Sequence, residues 1–304
     1  MKERKDDSIW KVVMEEVFDD LLRFVYPDAD QVYDLGRRFE FLEQELAQLD
    51  PDPEEPSDTR YADKLVKVFT KEGREEWVLV HLEIQGDTWP KEAFAERMLH
   101  YFYRIFTKHR KPVSAVAIFT GQYGQGMPNR FHYEFHKTRL LYEYHTLSVL
   151  DYQDGELIEN NNPFALVVLG AKTSLLEEQI PEKDLLRRKL LIAKELFKRG
   201  YSNKKVRAIY RFLENVILFE DPENNLIFSK EVKSLDKNNV MGIDELVKQE
   251  GIKEGVEIGL ERGLEKSVRV LLSSTDFSDA KIAELVEVPV SFVEKVKKDV
   301  ASKK

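Results

Sequence analysis

The chain has 304 residues and no cysteine, so it is long enough to bury a large core, and disulfides, thiolate nucleophiles and sulfur-ligated zinc are excluded. Hydrophobic residues make up 42% and charged residues 34%, with a net charge of -9 at pH 7. This composition is typical of a globular protein and argues against non-specific coating of nucleic acid. Because the sequence has neither a long apolar run nor a secretory leader pattern at its charged N-terminus, we expect a cytoplasmic protein with no membrane partner.

The first predicted element is an amphipathic helix. Apolar residues recur at helical spacing from Ile9 to Phe24, and Pro27 ends the pattern. Three prolines among acidic residues then predict an irregular, exposed connection from about Phe39 to Ser57.

The pattern next becomes that of a β-hairpin. Two segments rich in Val and Leu, Arg60–Thr70 and Glu76–Gln85, lie on either side of a short segment that contains Gly73. Glycine in a short connection between two such segments is typical of a tight turn. We therefore predict two neighbouring antiparallel strands in the centre of a sheet.

A helix and a further strand follow the hairpin. The helix is predicted over Phe94–Phe106 and the strand over Val113–Thr120, and edge strands are expected from Phe135 onward and over Leu147–Leu150. This order predicts an α/β fold with a mixed sheet of about four to five strands flanked by helices.

The remainder of the chain has helical patterns. Residues 163–218 include the basic stretch Glu182–Arg211, with eleven Lys or Arg against three acidic residues. Such a stretch is either a solvated helical face or a surface for an anionic partner. We expect these helices to pack on the sheet or to cap it.

A glycine-punctuated helix and a terminal helical hairpin are predicted near the end of the chain. Glycines recur every fourth residue at 251, 255, 259 and 263, which indicates either close helix packing or a weak helical spacer. Over Phe277–Val300 the pattern is helix, turn, helix, with Ser278 and Ser291 as N-caps. We expect packing or dimerisation here rather than DNA reading. The predicted organisation is a core over 1–170, helices over 171–240 and the terminal helices over 241–304.

Acidic residues at the ends of the predicted hairpin strands form a candidate metal site. Asp63 lies at the start of one strand, and Glu83 and Gln85 lie two residues apart near the end of the other. The hairpin is expected to place position 63 opposite position 82 or 83, where two carboxylates could share Mg²⁺. Alternatively, Asp63 pairs with Arg60 or Lys91 and has no metal.

Four segments in this order, RYADKLVKV, WVLVHLEIQG, ERMLHYFYRIF and PVSAVAIFTG, resemble a known family. It is the recombination-promoting nuclease and putative transposase group of the PD-(D/E)XK nuclease superfamily, and the resemblance covers about residues 8–170. It implies a restriction-endonuclease-like core with a mixed central sheet. It also implies a metal-dependent DNA endonuclease that uses Mg²⁺ or Mn²⁺ and acts in DNA recombination.

The resemblance also assigns site residues. It makes Asp63 and Glu83 the metal-binding and catalytic carboxylates, and it places Gln85 where the family usually has lysine. A glutamine can orient water but supplies no charge to the phosphate. The family's proline is absent, since Ala62 precedes Asp63. An acid from the first helix often completes such sites; we choose Glu16 as a metal ligand, with Glu15 and Asp19 as neighbouring alternatives.

Basic and aromatic residues on two helices are candidate DNA contacts. Arg97 and Tyr101 are one helical turn apart on the helix predicted after the strand that contains Glu83. Arg187, Arg188 and Lys189 lie in the basic stretch. Arg97 could instead lock the site by pairing with an acid.

Two other classes of function remain open. In the first, the fold binds DNA or a protein without cleaving it. In the second, the chain is an assembly module whose C-terminal helices form a homo-oligomer.

Overall fold

The structure, a computed structural model, describes residues 6–42, 60–61, 64–84 and 91–236, together with 264, 267–268, 271–272, 277–286, 288, 292–293 and 296–297. The chain divides into two compact units, residues 1–238 and residues 239–304. The first unit is an α/β fold with a mixed sheet flanked by helices, which confirms the predicted class.

Three helices begin the first unit: α1 (Asp6–Glu16), α2 (Phe18–Val25) and α3 (Ala29–Val32). The single helix expected from the apolar pattern is interrupted at Val17, although its backbone hydrogen bonds with Val13 and Leu21, of 3.0 and 2.8 Å, link α1 to α2. The pattern ends before Pro27, as predicted. Buried apolar residues at positions 10, 13, 14, 17, 18, 21 and 22 explain the helical spacing.

Six strands of the described residues form the main sheet: β1 (Glu40–Phe41), β2 (Arg60–Tyr61), β3 (Lys64–Phe69), β4 (Glu75–Ile84), β5 (Val113–Phe119) and β8 (His145–Ser148). Their order is β1-β3-β4-β5-β8, and β2 pairs with β4. β3 is antiparallel to β1 and β4, whereas β4, β5 and β8 are parallel. β1 lies in the segment that was expected to be irregular.

The predicted hairpin consists of β3 and β4. Gly73 has a φ of +80°, which glycine adopts without strain, and Thr70 N donates to Arg74 O at 2.8 Å. These interactions close the turn between the paired residues Phe69 and Glu75. The prediction of two central antiparallel strands is confirmed.

Helix α4 (Lys91–His109) connects β4 to the parallel strand β5. The buried residues Phe94, Met98, Tyr101 and Ile105 recur at helical spacing along α4. They pack in one cluster with Leu65, Trp77, Leu79, Ala115 and Ala117 from the strands of the main sheet. The helix is longer than predicted at both ends, and its apolar face covers one side of the sheet.

A separate two-stranded sheet follows β5. It is formed by β6 (Arg130–Phe135) and β7 (Thr138–Glu143), which pair antiparallel. The expected edge strand near Phe135 is thus the tip of a hairpin. β8 begins two residues before the predicted position, and a 3-10 helix, Val149–Asp151, follows it.

In the described residues, five more helices follow in the first unit: α5 (Asp154–Glu159), α6 (Pro163–Ser174), α7 (Glu182–Lys198), α8 (Asn203–Val216) and α9 (Pro222–Leu235). The position chosen between the first two predicted domains, residue 170, falls inside α6. A Cβ on Gly170 would lie 2.7 Å from the Leu213 side chain, so glycine permits the close approach of α6 and α8. Trp10 of α1 packs edge-on against Phe212 of α8 at 4.6 Å.

The second unit has a small helical core in its described residues. It contains helix α10 (Asp279–Val286) and a cluster formed by Val268, Ile282, Ala283, Val293 and Val296. The predicted cap is confirmed, since Lys281 N donates to Ser278 Oγ at 3.3 Å. The four periodic glycines and Ser291 lie outside the described residues.

Candidate active site

Strand β4 carries Glu83, the second proposed metal ligand, and its main-chain pairing defines what surrounds that residue. Glu83 pairs with Tyr61 of β2 on one side and with Phe119 of β5 on the other. Asp63 and Gln85 lie outside the described residues, as does the side chain of Glu83. Strand β4 therefore has a neighbouring strand on each side at the level of Glu83.

The predicted register of the hairpin, with position 63 opposite 82 or 83, is wrong by one or two residues. Tyr61, and not residue 63, lies opposite Glu83, while Lys64 lies opposite Val80. The reason is the turn: the pair Phe69 and Glu75 and the hydrogen bond from Thr70 N to Arg74 O centre it on position 72. A turn centred one residue later, on Gly73, would pair position 63 with position 83.

A lysine that the sequence analysis overlooked follows Asp63 directly. The side chain of Lys64 is 1% exposed, and its Nζ donates to Glu15 Oε1. Its Nζ also lies 5.2 Å from the centre of the Phe41 ring. The sequence signal for this contact is a lysine within an apolar strand, since buried lysines are rarely found without a partner.

The acid that reaches β3 from the first helix is Glu15. Its carboxylate contacts Lys64 and its side chain remains 42% exposed. Glu16 is exposed on another face of α1. Asp19 lies in α2, where it accepts hydrogen bonds from Arg23 at 2.7 Å and from Lys205 at 2.9 Å. Among the three candidates, Glu15 is thus the one whose carboxylate contacts the strand that follows Asp63, and the choice of Glu16 as a metal ligand stays a prediction.

The carboxyl ends of the parallel strands meet at one edge of the sheet. Glu83 pairs with Phe119, and Phe119 pairs with Ser148 at the end of β8. The loop after β5 packs closely on this edge, since a Cβ on Gly124 would lie 2.5 Å from Phe119 Cβ and 3.1 Å from Ser148 Oγ. In open α/β sheets, ligands bind outside the carboxyl ends of strands. Three glycines within residues 121–126 are the sequence feature from which this close-packed loop could have been predicted.

Arg97 and Tyr101 contact each other rather than an exposed surface. Arg97 Nη2 donates to Tyr101 Oη at 3.1 Å, which confirms that the two residues share a helix face. Tyr101 is 3% exposed within the core cluster, so its prediction as a DNA contact is wrong. The sequence feature that indicates its burial is its position in the apolar stripe of α4, three residues after Met98. Arg97 is half-buried, and the alternative in which it pairs with an acid stays a prediction.

The three basic residues of α7 that were predicted to contact DNA have three different environments. Arg187 is 68% exposed and pairs with Asp184 at 2.9 Å. Arg188 donates to Asp154 at 2.5 Å, and Lys172 also pairs with that carboxylate, at 2.7 Å. Burial acts to raise the pKa of Asp154, but the hydrogen bonds from both basic side chains hold it below its usual value.

Lys189 is buried, so its prediction as a DNA contact is wrong. Its Nζ donates to Ile217 O at 2.7 Å, beyond the end of α8, and lies 4.9 Å from the centre of the Phe219 ring and 4.4 Å from that of Phe228. Burial lowers the pKa of Lys189 to about 8. Helical periodicity again indicates the burial of this residue, because position 189 lies on the same face of α7 as the buried residues Leu185 and Ile192.

The described residues show neither a metal cluster nor a membrane-spanning helix. In this part of the chain, no group of three or more His, Asp or Glu side chains has the arrangement of a metal site. None of its helices combines the length and apolar content required to cross a bilayer. The chain matches no protein-family model, and comparisons with curated proteins and with solved structures yield no match. Functional inference therefore depends on the residues and their positions in the sheet.

Proposed function

We propose that the protein is a metal-dependent DNA endonuclease of the PD-(D/E)XK type, related to the recombination-promoting nuclease and putative transposase group. The observation that carries the proposal is the position of Glu83, which lies on a central strand between β2 and the parallel strand β5. Asp63 is the residue before β3, the antiparallel neighbour of that strand. The resemblance predicts a hairpin between Asp63 and Glu83 and a helix after Glu83. The observed order of β3, β4 and α4 agrees with that expectation.

The residue types fit a divalent hard cation. Carboxylate oxygens are the preferred protein ligands of Mg²⁺ and Mn²⁺, and a third carboxylate, that of Glu15, lies beside β3 with much of its surface exposed. Asp63 and Glu83 hold the ion in this proposal. When bound, such an ion polarises the phosphate and lowers the pKa of the attacking water.

Gln85 orients the attacking water through its amide. It contributes no positive charge, so the reaction is slower than in a site with lysine at that position. The direct consequence is that Gln85→Lys raises the cleavage rate, by about tenfold or more if the added cation stabilises the transition state by about 1.4 kcal/mol.

The test is nicking of supercoiled plasmid in Mg²⁺ or Mn²⁺ by the full chain and by Asp63→Ala and Glu83→Ala. Glu72→Ala is the matched control, because Glu72 is an exposed acid in the turn of the same hairpin. We expect nicking by the full chain and the control, and a loss of at least 100-fold in both site variants. Equal nicking by all four proteins would refute the assignment, and DNA binding without nicking under either metal would favour the non-cleaving alternative.

The DNA surface is proposed to include Arg187, the most exposed of the three candidate basic residues of α7. Loss of one phosphate contact in Arg187→Ala should reduce the slope of log affinity against log salt by about 0.9. Lys189→Met is the matched control in the same helix, because a buried ammonium makes no phosphate contact. Equal slopes in Arg187→Ala and the unmodified chain would remove Arg187 from the DNA surface.

A further inference from the structure

Strand β7 has, within the described residues, a neighbouring strand on one side only. Tyr144 N, one residue beyond β7, donates to Asn129 O at 2.9 Å in the register of the hairpin. Because hydrogen-bonded and non-bonded pairs alternate along antiparallel strands, the even-numbered residues of β7 bond with β6. The main-chain N–H and C=O groups of the odd-numbered residues, Arg139, Leu141 and Glu143, therefore point to the outer edge of β7.

This outer edge has few of the features that protect sheet edges. Proteins block exposed edges with proline, with charged side chains or with a covering helix, since an exposed edge pairs readily with a further strand. Helix α4 packs beside β6, the other strand of the hairpin. Residues 138–143 contain no proline, and Leu141 in the middle of the edge is 56% exposed. Its flanking charges therefore determine which strand the edge accepts.

The charges of the edge are complementary to those of a second copy. When two β7 strands pair antiparallel with Leu141 opposite Leu141, Arg139 of each copy lies opposite Glu143 of the other. Arg139 pairs with Glu134 of β6 at 2.9 Å, yet its side chain is 75% exposed, and Glu143 is exposed as well. The same register joins the outward main-chain groups of both strands. A shift by two residues would lose both charge pairs.

The apolar face of the hairpin favours the same arrangement. On this face Phe131 and Tyr142 pack with the core cluster, and the Tyr142 ring lies 4.9 Å from that of Phe102 in α4. Nearer the tip, Tyr133 and Leu140 are 46% and 42% exposed. In the pairing described above, Leu140 of one copy lies opposite Tyr142 of the other, on the side of the sheet where α4 of that copy packs. Pairing thus removes exposed apolar surface from water.

We propose that the outer edge of β7 is an interaction surface for a second copy of this chain. The two hairpins join into one four-stranded antiparallel sheet, with the twofold axis at Leu141. Such an interface is isologous, since both copies contribute the same surface. Main-chain hydrogen bonds supply the affinity, and the pairs between Arg139 and Glu143 fix the register. The inference goes beyond the proposed nuclease function and does not depend on it.

The first test is a charge exchange across the axis, measured as the molar mass of the full chain in sedimentation equilibrium. Arg139→Glu alone places two acidic residues opposite each other, and Glu143→Arg alone places two basic residues opposite each other. A one-to-one mixture of the two variants restores both pairs of opposite charge.

The second test blocks the main-chain pairing. Leu141→Pro removes an N–H that points outward and that the hairpin does not use. His132→Pro is the matched control, because His132 lies opposite Leu141 in the hairpin and its N–H points to the other edge, that of β6. Thermal unfolding midpoints show whether each variant is folded.

We expect the unmodified chain and His132→Pro to dimerise. Each charge variant alone should have a dimer dissociation constant raised by about tenfold or more, and their mixture should associate as tightly as the unmodified chain. Leu141→Pro should lose the association with its unfolding midpoint nearly unchanged, because an outward N–H contributes nothing to the folded monomer.

Other outcomes would overturn the proposal. A monomeric unmodified chain would refute it and would leave the edge to a strand of a different protein. A dimer that persists in Leu141→Pro, or that is lost only in His132→Pro, would mean that the chains associate through another surface. Should Leu141→Pro unfold, the charge variants carry the test, since a mixture that associates no more tightly than either variant alone refutes the pairing.

Discussion

The buried amine of Lys189 gives a prediction that can be worked out in numbers. The side chain is 2% exposed, and burial lowers its pKa from 10.5 to about 8. Since one pKa unit corresponds to about 1.4 kcal/mol, this difference means that folding with a charged Lys189 is unfavourable by roughly 3 kcal/mol relative to folding with the neutral amine. Lys189→Met removes that penalty and loses a hydrogen bond to Ile217 O worth about 1 kcal/mol.

The sign of the pH effect follows from proton binding. Between pH 8 and pH 10.5 the unfolded chain binds more protons at Lys189 than the folded chain does, so the contribution of this residue to the free energy of unfolding rises with pH. At pH 7 we therefore expect Lys189→Met to be more stable than the unmodified chain by roughly 2 kcal/mol. Near pH 10.5 the advantage should disappear or reverse.

The assay is urea unfolding of both proteins at pH 7 and at pH 10, with the difference between the two proteins taken at each pH. Other titrating groups cancel in this difference. Lys198→Met is the control, because Lys198 lies on the same helix and its side chain is 75% exposed. A stability difference for Lys189→Met that does not change with pH, as expected for the control, would refute the assignment of a buried, easily deprotonated amine.

Three further predictions concern packing and buried charge. Gly124→Ala should destabilise the protein by about 1 to 3 kcal/mol in thermal unfolding, since the added carbon would lie 2.5 Å from Phe119 Cβ; an unchanged midpoint would show that the loop can move away. Lys205→Met should reduce the free energy of unfolding in urea by about 3 kcal/mol, because it leaves Asp20, a carboxylate whose pKa burial already raises, without that ammonium. A smaller loss than in Asp20→Asn would contradict this reasoning. Asp154→Ala should lower the free energy of unfolding by about 1 kcal/mol in the same assay, because it removes the carboxylate that Lys172 and Arg188 share. An unchanged free energy of unfolding would show that these two ion pairs do not stabilise the fold.

The long regular elements could be predicted from sequence because one local pattern determines each of them. The apolar stripe of α4 and the continuous apolar run of β5 are examples, and both were placed within a few residues of their observed bounds. The hairpin was also predicted, but its register depends on whether the turn is centred on position 72 or on Gly73. Moving the centre by one residue changes the pairing by two residues, and composition does not reveal it.

The candidate site was predicted less completely because its described contacts are long-range. Lys64 and Glu15 are 49 positions apart, and no local periodicity connects them. The run of basic residues in α7 also hid a buried member, since net charge does not distinguish the exposed Arg187 from Lys189. Helical periodicity does distinguish them, because only position 189 falls within the apolar stripe of the helix.

The central claim is that the side chains of Asp63 and Glu83 share a divalent cation. Anomalous diffraction from crystals soaked with Mn²⁺ tests it most directly, because the peak locates the metal and its ligands together. We predict a peak within about 2.5 Å of both carboxylates, with Glu15 nearby. A peak bound elsewhere, or carboxylates of Asp63 and Glu83 on opposite faces of the sheet, would contradict it.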